Sequence, residues 1–168
     1  MSTEELRSLR SLLYVGNYGK LLQEAQQLQG ADHKTAVQRD VYVHRALIAQ
    51  GKHAAVFKAV DKAAAVPLQA VKLLATYLTS QADQKDLVFD TLSEWLSDAS
   101  MAEDSTVQLM AAQIYFEAED YKQALKLVVD KENLEAYVPV CLSHGTSEVS
   151  RVLESVQQSA LRSSLLED

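Results

Sequence analysis

Glu117-Ala118-Glu119-Asp120-Tyr121-Lys122-Gln123-Ala124-Leu125 is the stretch on which the reading of the chain turns. Ahead of it Leu109, Ala112, Tyr115 and Phe116 recur at helical spacing, and within and after it Tyr121, Ala124, Leu125 and Val128 do the same. Two apolar stripes parted by Glu117 to Asp120, with the turn at Glu119-Asp120, predict two helices and a tight turn. Helices joined so closely must lie antiparallel.

The figure repeats toward the N-terminus. Leu6, Leu9, Leu12 and Leu13 follow a Ser2-x-x-Glu5 capping box and predict a helix from about Thr3 to Val15. Gly16-Asn17 breaks it, and Leu21, Leu22, Ala25 and Leu28 form a second stripe ending at Gly30, a residue that takes the left-handed conformation at low cost. Val37, Val41, His44 and Ile48, then Gly51-Lys52, then Val56, Phe57 and Val60 make a second hairpin. The third begins at Pro67, tolerated in a first helical turn, with Leu68, Val71, Leu74, Ala75 and Leu78. It continues past the polar stretch Ser80 to Asp86 with Leu87, Val88, Thr91, Leu92, Trp95 and Leu96.

Gly16 and Gly51 lie 35 residues apart, and Gly51 and Glu119 lie 68 apart, twice 34. Paired helices at a period of about 34 residues are the tetratricopeptide signature. The turn segments Tyr14-Val15-Gly16-Asn17-Tyr18 and Ala49-Gln50-Gly51-Lys52-His53 agree with it, and the opening stretch follows the consensus turn with Glu119 in place of Gly. Ala25, Ala112 and Ala124 are small enough for close helix approach. The expected fold is all-α, a right-handed solenoid of antiparallel, tetratricopeptide-like helical hairpins.

About four hairpins occupy residues 1–130. Beyond Asp130 the pattern loosens. Leu134 to Leu142 contains Pro139, which removes a helical hydrogen bond, and Ser143-His144-Gly145 reads as a stop. Val149, Val152, Leu153, Val156 and Leu161 supply one more amphipathic helix, so 131–168 is expected to be a degenerate repeat or a C-terminal cap.

Composition agrees. Leu and Ala are the commonest residues, Pro occurs twice and Gly five times, a balance that favours helices over turn-dense β folds. A net charge of -7 argues against nucleic acid or anionic lipid as direct partners, since both require clustered Lys and Arg. No apolar run reaches the roughly 18 residues of a membrane span, and the acidic start Met1-Ser2-Thr3-Glu4-Glu5 does not read as a signal peptide. The expected compartment is the cytosol. Cys141 stands alone, can form no internal disulfide, and reads as a packing residue of a reducing compartment.

Catalytic chemistry finds no foothold. His33, His44, His53 and His144 stand in no zinc-binding spacing, and the single glycines form neither a phosphate loop nor a nucleophile elbow. Acid pairs such as Glu4-Glu5 and Glu119-Asp120 fall at helix starts, where they favour the macrodipole. No catalytic residue, metal or cofactor is expected, and the chain reads as a non-enzyme. A carboxylate-clamp co-chaperone would need inward asparagines on successive first helices, and only Asn17 and Asn133 exist. Consensus repeat geometry instead aims Gln38 and Arg45 of the second hairpin, and Gln113, Phe116 and Glu117 of the fourth, into a concave protein-binding groove.

A more specific resemblance rests on Tyr14 to Tyr18 with Glu24-Ala25-Gln26, on Gln38-Arg39-Asp40-Val41-Tyr42-Val43-His44-Arg45-Ala46 with Ala49-Gln50, on Leu68-Gln69-Ala70-Val71-Lys72, and on Leu109-Met110-Ala111-Ala112-Gln113-Ile114-Tyr115. Over its first 130 residues or so the chain resembles the epsilon subunit of coatomer, the COPI vesicle coat. From about Tyr137 it departs from that pattern, and the family runs on through further repeats. The resemblance implies a cytoplasmic, non-catalytic coat subunit, peripheral on Golgi membranes and COPI-coated vesicles. It implies binding to the C-terminal region of the coatomer alpha subunit and indirect association with other subunits. It also implies a role in Golgi-to-ER retrieval and intra-Golgi transport, with membrane contact only through partners. The residues by themselves equally allow a generic repeat scaffold that binds another protein's peptide or helix.

Overall fold

The computed structural model describes residues 3–28 and 32–129. Among them are nine helices and no strand: α1 Thr3–Val15, α2 Tyr18–Gln27, α3 His33–Ala49, α4 His53–Ala59, α5 Val66–Thr79, α6 Ala82–Ser97, α7 Ala99–Ala102, α8 Ser105–Glu117 and α9 Tyr121–Val129. The chain divides into two compact units between Glu94 and Trp95. The predicted roles of Ser2, Gly30, Asn133, Pro139, Cys141, His144 and the whole of 131–168 fall outside the described residues.

In the first unit α1 packs on α2 and α3, α2 on α3, α3 on α4 and α5, and α4 on α5. α1 and α3 therefore each touch their own second helix and the first helix of the following hairpin, the stacking order of a helical-repeat array. Leu9, Leu13, Leu21, Ala25 and Ala46 form a buried cluster with Leu12, Tyr18, Leu22, Leu28, Tyr42 and Val43 against it. Val41, Val56, Val60, Val71, Leu74 and Ala75 are buried further along the stack. Each large aliphatic side chain so buried contributes about 1.5–3 kcal/mol. In the third hairpin Tyr77 meets Phe89 edge-on at 5.7 Å, and Lys85 Nζ lies 4.5 Å from the Tyr77 ring centroid. Phe57, Leu78 and Leu87, all counted on apolar stripes in the sequence, are exposed. Leu87 falls one residue before Val88, which is buried together with Leu92, and so lies just off the buried face of α6.

In the second unit α8 is buried nearly all round, from Thr106 to Ala112 and at Ile114 and Phe116. A helix without a polar face belongs to a core. It packs on α9, where Ala124 and Leu125 are buried, and Phe116 meets Tyr121 at 5.4 Å. The four-residue α7, unforeseen in the sequence, is held by Asp98, whose carboxylate accepts from Ser100 N and Met101 N. Gln108 Nε2 donates to the carbonyl of Ala102 and ties α7 to α8.

Three of the inter-helix turns are one motif. Gly16 N–H donates to Leu13 O and Asn17 N–H to Leu12 O; Gly51 to Ile48 and Lys52 to Leu47 repeat the pair, as do Glu119 to Phe116 and Asp120 to Tyr115. This is the Schellman closure, which satisfies carbonyls that a helix end leaves open. It needs a left-handed residue, and Gly16, Gly51 and Glu119 have φ of 78°, 72° and 62°. Glu119 thus adopts the conformation of the glycine it replaces. The third hairpin turns through Ser80 in extended backbone and lacks the motif.

Candidate functional site

Gln38 and Arg45 lie two turns apart on α3 and share a face. Gln38 is half-buried, whereas Arg45 is buried with its guanidinium 6.0 Å from the Tyr14 ring centroid, a cation–π contact to the end of α1. On α8 Gln113 is half-buried, Phe116 is buried against Tyr121, and Glu117 is exposed in the last turn. Of these five residues, then, Arg45 and Phe116 are engaged in packing, and Gln38, Gln113 and Glu117 present surface.

Beside Gln38 the structure builds something the sequence did not single out as a site. Arg39 donates through Nη1 to the carbonyl of Leu28, the C-cap of α2, at 2.8 Å, and through Nε and Nη2 to Asp40 Oδ1, each at 2.8 Å. A cation at a helix C-terminus meets the negative end of the macrodipole, so the arginine both caps α2 and fixes its entry onto α3. His44 Nδ1–H donates to the Asp40 carbonyl one turn back at 2.6 Å. An open groove of about 550 Å³ lies between α2 and α3, lined by Leu22, Ala25, Gln26, Arg39, Asp40 and Val43. Its walls are mainly apolar and its charged pair is already satisfied, which suits an apolar side chain of a peptide or helix rather than a reacting substrate.

The residue after each left-handed turn position starts the next helix. Asn17 Oδ1 accepts from Lys20 N at 3.3 Å, and Asp120 Oδ1 from Gln123 N at 3.2 Å. At the second turn the position is Lys52, and α4 has no side-chain cap. Gln50 Oε1 and His53 Nδ1, on either side, are buried without a hydrogen-bond partner. An offset of 35 and then 68 residues sets Asn17, Lys52 and Asp120 in register, so the signal stood in the sequence.

Among the described residues no group of three or more His, Cys, Asp or Glu could hold a metal ion, and no helix is long and apolar enough to cross a membrane. Burial, helped by the charge of Asp120, raises the Tyr115 phenol above its ordinary value and keeps it neutral.

The recurring turn and the stacking order define a helical-repeat protein of the tetratricopeptide-like class. Residues 2–142 match the family described as coatomer epsilon subunit, and the chain belongs to that family. The match runs just past Tyr137, where the sequence pattern is expected to lapse. The chain is similar to coatomer subunit epsilon-1 of Arabidopsis thaliana, 32% identical over 162 residues, covering 92% of this chain and 55% of the relative. It is 37% identical over 123 residues to coatomer subunit epsilon-2 of the same plant, covering 73% and 41%. With coatomer subunit epsilon-1 of Oryza sativa subsp. japonica it shares 37% over 125 residues, covering 74% and 42%. The chain spans about half the length of the curated relatives it matches.

Proposed function

We propose that the chain serves as a non-catalytic subunit of the COPI coat that clasps the C-terminal region of the coatomer alpha subunit. The single observation that supports this reading most is the family match over residues 2–142 on a stack of helical hairpins. A repeat stack offers an extended surface and no reaction centre, which suits holding a partner segment by burial of apolar area. On this reading residues 1–130 carry the binding hairpins. The half-buried Gln38 and Gln113 and the exposed Glu117 touch the partner, while Arg45 and Phe116 hold the helices that present them. The protein then works in the cytoplasm on Golgi membranes and COPI vesicles, in retrieval to the endoplasmic reticulum and in intra-Golgi transport, and reaches the membrane only through other coat subunits.

The test is co-purification of the full 168-residue chain with the C-terminal region of a coatomer alpha subunit. A stable complex that weakens when Gln38, Gln113 and Glu117 are changed to Ala supports the reading. Failure of the folded chain to bind overturns it and leaves a repeat scaffold for another protein's peptide or helix.

A further inference from the structure

Between Asp40 and Asp83 the only carboxylate is Asp61, against Arg45, Lys52, Lys58, Lys62 and Lys72. This stretch carries a formal charge of +4 inside a chain of net charge -7. Two of the five bases are used internally, Arg45 over Tyr14 and Lys72 by a 2.5 Å bond from Nζ to the Val60 carbonyl. Lys52, Lys58 and Lys62 are exposed, and among the described residues none of them is in an ion pair. They stand at the N-cap of α4, in its last turn and in the loop after it, on and around a helix about 10 Å long. Asp61 offsets one of these charges, and its Oδ1 accepts from Ala63 N at 2.9 Å; among the described residues it forms no ion pair with any of the three lysines.

Lys58 has a local use, since a cation in a last turn favours the helix dipole. Lys52 has none. It occupies the position that Asn17 and Asp120 fill with a capping acceptor, and its charge faces the positive end of the helix. A residue that breaks a local rule its two structural equivalents obey marks a function outside the fold. Around it α4 turns outward Ala54, Ala55 and Ala59, small enough for close approach, and Phe57, 37% exposed.

We propose that the outer face of α4 is a second docking surface, which takes an acidic peptide segment of a partner protein. Carboxylates of the segment pair with Lys52, Lys58 and Lys62, and an apolar side chain between them rests on Phe57. The chain's net charge of -7, of the same sign as the segment, disfavours its binding to the more acidic remainder of the molecule and so helps to set it on this face.

The experiment titrates the full chain into a fluorescein-labelled peptide Glu-Asp-Glu-Leu-Phe-Glu-Asp-Glu and into its Gln-substituted counterpart, with phosphatidylcholine vesicles one-third phosphatidylserine as a third probe. The acidic peptide is expected to bind, the Gln peptide to bind about tenfold more weakly or worse, and added salt to weaken the complex. Lys52→Asp supplies the missing cap, so its fold is at least as stable as the parent's, yet it is expected to lose severalfold in peptide affinity. Phe57→Ala loses affinity without changing the salt dependence. No binding by the folded parent, or equal binding by Lys52→Asp and by the Lys58→Gln, Lys62→Gln pair, overturns the proposal. So does capture of the vesicles in preference to the peptide, which would make the face a membrane contact.

Discussion

Glu119 is the only described non-glycine residue with positive φ, and it sits where Gly16 and Gly51 sit in the other two Schellman turns. Left-handed backbone costs an ordinary residue roughly 1 kcal/mol or more that glycine escapes. Glu119→Gly is therefore expected to stabilise the protein by about 0.5–1 kcal/mol, and Gly51→Ala to destabilise it by about 1–2 kcal/mol. A Cβ at Gly51 would meet nothing within 4 Å, so that loss is one of backbone conformation and not of contact. Urea unfolding of the two variants measures both, and a change of opposite sign in either would refute the equivalence of the turns. The turn was legible in the sequence because only glycine's chemistry is needed at that point, and two of three copies keep it. Arg39 shows the opposite case. Its block with Asp40 could be noticed, but its bond to the Leu28 carbonyl joins residues eleven apart through the packing of α2 on α3, which no local pattern announces. Arg45 likewise reads as a surface charge until Tyr14 is found beneath it.

At the scale of the helix, the caps carry an acid dependence. Asp98 is held below its ordinary value near 3.8 chiefly by the Ser100 hydroxyl, then by the Ser100 and Met101 N–H groups, and Asp32 below the same value chiefly by the Thr35 hydroxyl, then by the Thr35 N–H. A carboxyl whose value is lower in the folded state contributes stability above its unfolded value, and that contribution disappears as pH falls through the folded one. Thermal midpoints are expected to be level near neutrality and to decline once pH drops below about 4. Asp98→Asn should show a shallower decline in that window; an unchanged acid limb would mean that Asp98 does not contribute to it. The helices themselves were readable from their 3.6-residue apolar period, and the bounds of α1 from its cap and turn residues, whereas the starts of α3 and α8, set by the caps Asp32 and Asp104, lie ahead of the apolar stripes that the sequence shows. The four-residue α7 was not, since it is too short to show a period and owes its shape to Asp98 and to Gln108 of α8.

Across the first unit, α3 touches α1, α2, α4 and α5, so every other contact in the stack is made beside it. Local opening is then easiest at the helix with fewest neighbours and hardest at the one with most. Hydrogen exchange followed by mass spectrometry is expected to find the amides of Tyr42 to Ile48 slower than those of Leu6 to Leu12, and equal protection would argue against a central role for α3. The stacking order was foreseeable from the period. The positive stretch around α4 stands in the order of the residues but not in the composition, where a net charge of -7 conceals a stretch of +4. The position of α3 also bears on how the protein comes into being. All of its neighbours are supplied by the hairpin before it, its own second helix and the first helix of the hairpin that follows, so each closure joins short lengths of chain, the condition under which folding is fast. The stack of the first unit can condense on the ribosome once α5 has emerged, before synthesis of the polypeptide ends.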